Sequence, residues 1–440
     1  MTRQQVKQVV VPAGLTLPFI LITICFPLWG FANDITNPMV SSFKTILLTP
    51  NWQSALVQMA FYGGYFAMAF PAALFIKRFS YKSGILMGLG LYAVGGLLFI
   101  PASFLGVFAP FILAYFILTC GLSFLETSAN PYILSMGPES TATQRLNLAQ
   151  AFNPLGSLLG MYTAKHFILD RINPAEFEDR AQLAVTDPGA YQAMTNADLS
   201  IIRNPYVVLG IVIMVFFVII AFVRMPKPGQ EHKIHFMDSI RRLLRRKRYT
   251  EGVIAQFFYV GAQILCWTFI IQYGESIGLT KTQAQGYNMV AMVLFVSNRF
   301  IATALMRYIR PGRLLMYYGI FAVTCTVGAM VLPGKAGLIS LVGISAGMSL
   351  MFPTIYGIAL KGVGEDSKFG AAGLIMSIVG GSVLPPLQAL VFDLGGPGYN
   401  DISILGMNEV RISFVIPLIC LLIVTLYGRR TELVHDRDEG

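Results

Sequence analysis

Charge is scarce in this sequence. Of its 440 residues only 12% are Asp, Glu, Lys or Arg, about half of the roughly 25% that a soluble domain carries. Together with 55% hydrophobic residues and a mean hydropathy of +0.64, that deficit excludes an ordinary soluble globular domain. Cysteine is also sparse. Cys25, Cys120, Cys266, Cys325 and Cys420 all lie in apolar runs, and their spacing fits neither a disulfide framework nor a metal site, so they read as small buried hydrophobes. Histidine is rarer still: His166, His232, His235 and His435 fall at helix ends or in loops. No imidazole is therefore available mid-membrane, and any proton carrier must be a carboxylate. No Asp-rich pair lies within or beside an apolar run, which argues against a membrane-embedded transferase needing Mg²⁺. The N-terminus, MTRQQVKQVVVPAG, lacks the layout of a removable signal peptide and reads as a mature cytoplasmic end.

What is abundant is apolar length. Runs of 18 or more residues recur along the chain, each long enough to cross a bilayer as a helix. They predict helices at about 17–40, 53–76, 84–106, 108–134, 145–169 and 205–224, then at about 253–277, 285–308, 313–332, 336–361, 370–394 and 411–427. The expected fold is an all-α membrane protein of 12 spans in two pseudo-symmetric six-helix bundles. Residues 1–224 form the first bundle, 225–250 a basic cytoplasmic linker, and 251–440 the second. With both termini inside, cytoplasmic segments hold 23 of the 32 Lys and Arg residues, the bias that the positive-inside rule demands. Arg241, Arg242, Arg245, Arg246, Lys247 and Arg248 crowd the linker. They read as a cationic amphipathic helix on the anionic inner leaflet rather than a nucleic-acid patch. The external stretch Asp170–Asn204 is acidic and reads as a solvated cap.

The two halves resemble each other. KRFSYKSGILMGLGLYAVG (Lys77–Gly95) aligns with MRYIRPGRLLMYYGIFAVT (Met306–Thr324), with Arg78/Arg307, Met87/Met316, Gly90/Gly319, Ala93/Ala322 and Val94/Val323 identical. Gly137-Pro-Glu-Ser and Gly364-Glu-Asp-Ser repeat at nearly the same offset. Parallel six-helix repeats about an axis normal to the membrane characterise one large transporter architecture. A channel needs no such duplication, and no enzyme is implied.

Two acids sit well inside spans: Asp34 in the first and Glu126 in the fourth. At about 1.5 Å per residue, Asp34 lies roughly 9 Å outward of its helix midpoint and Glu126 roughly 7 Å inward of its own. A carboxylate in hydrocarbon costs roughly 2.5–3.5 kcal/mol on insertion scales, so each acid marks either a pathway or an internal partner such as Arg299. A carboxyl sheltered from water can exchange a proton near neutral pH. Around them, polar residues recur at helical spacing: Thr119, Ser123, Glu126 and Asn130; Asn147, Gln150, Asn153 and Ser157; and Gln256, Tyr259, Gln263, Trp267 and Ile270. Amides beside an aromatic face suit a neutral polyol, the amides bonding hydroxyls and the ring packing on C–H groups. An anionic substrate would call for several cations at that depth, and only Arg299 is there. The competing role for any one amide is an interhelical hydrogen bond.

LETSANPYILSMGPES, RLNLAQAFNPLGS, Asn33-Asp34 and AQFFYVGAQILCWTFIIQY together make the chain resemble the fucose:proton symporter family of the major facilitator superfamily over nearly its full length. The resemblance implies alternating access to a central sugar site, with Asp34 and Glu126 serving sugar binding and proton coupling and with Gln150 and Asn153 lining the cavity. Asn33, Asn130, Gln263 and Trp267 complete the candidate sugar contacts. L-Fucose permeases carry Asn where this chain has Phe31 and Tyr where it has Phe352. Relatives in the family carry glucose, galactose, mannose or N-acetylglucosamine, and some use sodium. The function expected is import of a neutral monosaccharide, L-fucose or a related hexose, with a proton as coupling ion and no cofactor. Sodium coupling, a multidrug exporter and a non-transporting sugar sensor are the alternatives. The chain is expected to work as a monomer, without nucleic acid, in the bacterial cytoplasmic (inner) membrane.

Overall fold

The computed structural model describes residues 9–36, 38–49, 56–175, 177–225, 236–279, 281–392, 403–404 and 406–435. Its helices are α1 (Thr16–Thr36), α2 (Met39–Ile46), α3 (Leu56–Arg78), α4 (Tyr81–Leu97), α5 (Phe99–Leu105), α6 (Phe108–Ser135), α7 (Ala142–Gln150), α8 (Asn153–Thr163), α9 (Phe177–Thr186) and α10 (Pro188–Phe222). There follow α11 (Phe236–Arg245), α12 (Lys247–Thr268), α13 (Ile270–Ser276), α14 (Lys281–Leu305), α15 (Pro311–Val331), α16 (Gly334–Met348), α17 (Met351–Ala359), α18 (Ser367–Met376), α19 (Gly380–Phe392), α20 (Glu409–Ser413) and α21 (Val415–Arg430). A small antiparallel pair, β1 (Ser403–Ile404) and β2 (Met407–Asn408), precedes α20.

Helices dominate because hydrocarbon offers no water to satisfy backbone N–H and C=O groups, so each span must bond to itself. Among the described residues, ten helices are long and apolar enough to cross a membrane, and α12 with α13 makes an eleventh that bends by 41°. The twelfth expected position, 145–169, is the broken one. There α7 stops at Gln150, a turn holds Ala151 and Phe152, and α8 resumes at Asn153 before a π-helical end, Ala164–Leu169. Pro154 is the cause: its ring nitrogen has no hydrogen for the carbonyl of Gln150, four residues earlier. The tenth span breaks the same way at Ser349 and Leu350, between α16 and α17, where Pro353 deprives Ser349.

Two compact units divide the chain: Gly14–Tyr132 with Phe152–Gly229, and Met1–Ala13 with Ile133–Ala151 and Gln230–Gly440. This division by packing differs from the expected division at 224 and 251. The inner ends of the fourth and fifth spans pack with the second half of the chain. The bonds responsible are named side chains. Gln144 donates to the Thr303 carbonyl at 3.2 Å, Asn147 to Thr354 Oγ1 at 3.2 Å, and the Glu139 carboxylate accepts from Gly362 N–H at 3.0 Å. Arg145, fully buried, donates to the carbonyls of Ile133 and Leu134 that end α6, and to that of Val10.

The described residues of the external stretch are largely exposed, as expected of a solvated cap, but the stretch also has folded structure. It folds into α9 and the outer part of α10, and Arg180 and Asp198 are buried within it. Arg180 donates to Asp198 at 2.6 Å and to the carbonyls of Ala175 and Asn173, so pairing offsets the cost of burying both charges. Of the linker, residues 226–235 lie outside the described ones. In α11, Leu243 and Ser239 are buried, Met237, Arg241, Leu244 and Arg245 are exposed, and Arg242 grips both oxygens of Asp366 at 2.9 and 2.7 Å.

In the first unit α1 and α8 touch backbone to backbone. A Cβ on Gly156 would stand 1.8 Å from the Pro27 carbonyl oxygen, and one on Gly30 would stand 2.2 Å from that of Asn153. Small residues allow this approach, and it fixes the register of Asp34 on α1 against Asn153 on α8. Gly156→Ala is therefore expected to destabilise by about 1–3 kcal/mol through overpacking. Gly63→Ala, where nothing lies within 4 Å, is expected to be harmless. Thermal denaturation in detergent checks the pair: a lowered midpoint for the first and an unchanged one for the second.

Candidate functional site

In the first unit the polar residues gather on α1, α3 and α6. Glu126 is only 4% exposed, in the inner half of α6. Its neighbour is Tyr65 on α3, yet neither the Tyr65 hydroxyl nor Glu126 Oε2 closes a hydrogen bond of good geometry. One turn earlier on α3, Tyr62 stands within electrostatic range of Asp34. The two acids thus face phenols three residues apart on one helix, which is one face of α3. Asn33 adds a buried amide oxygen without a partner, and Thr127 a hydroxyl in the same condition. The rest of the α6 stripe is spent on packing: Ser123 donates to the Tyr65 carbonyl at 3.1 Å and Thr119 to that of Tyr115 at 3.0 Å. Asn130 is fully buried on that stripe. Asn153 donates to the Phe26 carbonyl at 3.0 Å and Ser157 to that of Gly30 at 3.4 Å, so both tie α8 to α1.

In the second unit the stripe on α7 meets α14 and α17. Gln150 is buried, and its backbone carbonyl accepts from Arg299 Nη1 at 3.0 Å. Arg299 also donates through Nε to the Ser349 carbonyl and lies 4.5 Å from the centroid of Phe295. Its role as partner of an internal acid is thereby displaced: the guanidinium serves backbone. Trp267 donates to Ser345 Oγ at 3.1 Å and meets Phe295 edge to face at 5.0 Å, presenting a fixed ring. Gln263, on the same helix, is half-buried. Gln256, two turns inward, is fully buried with both amide atoms unpartnered. Tyr259 donates to the Met348 carbonyl at 3.3 Å.

The structure therefore groups Asn33, Asp34, Glu126, Asn130 and Asn153 in one unit and Gln150, Gln263 and Trp267 in the other. Sequence reasoning missed Tyr65, Tyr62 and Ser345. Tyr62 and Tyr65 belong to FYGGYF, a run whose aromatics look like ordinary core, and only the fold brings them to the acids. What these groups can do chemically is limited and clear. They can take up a proton on the buried Glu126 carboxyl, and they can offer amides, phenols and one indole face to a neutral hydroxylated molecule.

Residues 19–386 match the Major Facilitator Superfamily. The chain is 49% identical over 418 residues to an L-fucose-proton symporter of Haemophilus influenzae, covering 94% of this chain and 96% of that one. It is 31% identical over 411 residues to a glucose/galactose transporter of Brucella abortus, covering 92% of each. Among solved structures, the crystal structure of a fucose:proton symporter of Escherichia coli superposes with a TM-score of 0.84 at 31% identity, over 94% of this chain and 98% of that one.

The Asn147–Thr354 bond gives a direct check on the packing around Gln150. Asn147→Ala leaves Thr354 Oγ1 short of its buried partner and is expected to cost about 1–3 kcal/mol. Adding Thr354→Val removes the stranded hydroxyl, so the double variant is expected to regain part of the loss rather than add to it. Denaturation of the four proteins in detergent measures the coupling; simple additivity would show that the bond carries no weight.

Proposed function

Because the chain belongs to the Major Facilitator Superfamily and, within it, to the fucose:proton symporter family, we propose that it imports a neutral hexose, L-fucose before others, together with a proton by alternating access. The observation that carries this reading is Glu126, buried on α6 beside the Tyr65 hydroxyl with one oxygen in no hydrogen bond of good geometry. An unpaired carboxylate is costly in a dry site, so protonation lowers the barrier to closing around the sugar, and sugar binding favours the same transition. Glu126 and Asp34 are assigned to proton coupling. Sugar contacts are assigned in each unit: Asn33, Asp34, Glu126, Asn130 and Asn153 in the first, Gln150, Gln263 and Trp267 in the second. Asn153 and Trp267 each have one donor committed to the protein, which leaves the amide oxygen and the ring face for the ligand.

A proton is favoured over sodium because the relatives at 49% and 32% identity are L-fucose-proton symporters. Glucose or galactose is the second reading for the sugar, supported by the 31% identity to the Brucella abortus transporter and by Phe31 and Phe352 in place of polar residues. The protein is proposed to work as a monomer in the bacterial inner membrane with both termini cytoplasmic. The exposed Met237, Leu244, Arg241 and Arg245 of α11 are proposed to face anionic headgroups, with no role in nucleic-acid binding.

Counterflow into proteoliposomes with labelled L-fucose, glucose, galactose and N-acetylglucosamine, with and without a pH or sodium gradient, tests substrate and ion together. L-Fucose exchange, accelerated by a pH gradient and indifferent to sodium, is expected. Glu126→Gln is expected to keep sugar exchange while losing uphill uptake. Loss of exchange as well would show that sugar binding needs the Glu126 carboxyl itself, and retained uphill uptake would remove it from coupling.

A further inference from the structure

Two of the spans that carry candidate sugar contacts, or stand beside them, are interrupted by proline. Pro154 and Pro353 have no N–H, so the carbonyls four residues earlier, those of Gln150 and Ser349, have no helical donor. Both carbonyls accept from a single side chain. Arg299 Nη1 donates to Gln150 at 3.0 Å and Arg299 Nε donates to Ser349. Arg299 is 4% exposed and its guanidinium lies over the Phe295 ring, which also forms an edge-to-face pair with Trp267 at 5.0 Å. Neither carbonyl is an ordinary helix end. Each is a break in mid-span, where an unsatisfied backbone group cannot turn to water.

We propose that Arg299 is a positioning residue for the transported sugar. By closing the two carbonyls that Pro154 and Pro353 leave open, it fixes the backbone at Gln150, and by lying on Phe295 it fixes the ring of Trp267. The proposal rests on the reading of Gln150 and Trp267 as sugar contacts. An arginine suits the task because its donors diverge from a rigid plane and reach two acceptors on different helices. A lysine gathers its donors on one nitrogen and serves such a pair less well. The cation therefore acts on a neutral ligand without touching it.

Counterflow with labelled L-fucose in proteoliposomes tests this. Arg299→Gln is expected to raise the half-saturation concentration by about tenfold or more, with the maximal exchange rate per folded transporter changed by less than about twofold, the pattern of lost uniform binding. Arg299→Lys is expected to fall between, and it carries the test where the glutamine variant does not accumulate. Gln150→Ala should raise half-saturation as well, and the double variant Arg299→Gln/Gln150→Ala should fall well short of the product of the two single effects, because the Gln150 contact is lost in both and only the share carried through Trp267 is added. In a Pro154→Ala/Pro353→Ala background each carbonyl regains a helical N–H, and Arg299→Gln should lose the part of its effect that runs through Gln150. An unchanged half-saturation in both Arg299 variants, effects of Arg299→Gln and Gln150→Ala that simply multiply, or an effect indifferent to the prolines would each overturn the inference. Failure of the wild-type chain to exchange L-fucose or any related hexose would overturn the functional reading beneath it instead.

Discussion

A backbone carbonyl in hydrocarbon needs a donor, and leaving one unmet costs several kcal/mol. Much of this structure follows from how that demand is met where helices break or end. Buried or half-buried cations do it. Arg145 serves the end of α6, Lys82 serves the end of α10 through the carbonyls of Ala221 and Val223, and Arg411 serves the end of α15 through Met330 and Val331. Arg299 serves the two proline breaks. Each cation is held by carbonyl dipoles, which stabilise a positive charge without neutralising it. The consequence for function is that these cations are spent on the scaffold, and Glu126 keeps an oxygen without a partner.

That allocation makes the carboxyl responsive. A carboxylate locked to a guanidinium would stay ionised through a transport cycle, whereas one beside a phenol in a dry site has a protonation state that depends on what else occupies the site. The same economy explains the sugar side. Amide atoms such as Asn33 Oδ1, buried without a hydrogen-bond partner, can be matched to hydroxyls, and the Trp267 ring is held by its nitrogen and by a perpendicular contact with Phe295, so a ligand meets a surface already ordered.

Composition and periodicity carried most of the architecture, because hydrocarbon imposes length and apolarity on every span and the duplication repeats the pattern. Asp34 and Glu126 were legible for the same reason: an acid inside a span is conspicuous. The breaks at Ala151 and Ser349 were less so, although Pro154 and Pro353 mark them, since proline in a membrane helix often bends it without interrupting it. Tyr62 and Tyr65 were illegible because an aromatic in an apolar run has no signature of what it will face. Arg299 was visible as a lone buried cation, but its acceptors are backbone atoms, which no sequence displays. The external cap is solvated over much of its length, as its sequence suggests; what one dimension could not display is the buried pair of Arg180 with Asp198 that ties it together.

The central claim is that sugar and proton move together through this chain. The most direct measurement is the pH of a lightly buffered suspension of vesicles bearing the protein, followed as L-fucose is added without any imposed gradient. The account predicts alkalinisation of the medium that begins with sugar entry, grows with sugar concentration and is abolished by a protonophore. Entry of labelled L-fucose with no pH change, or with a dependence on sodium in its place, would contradict it.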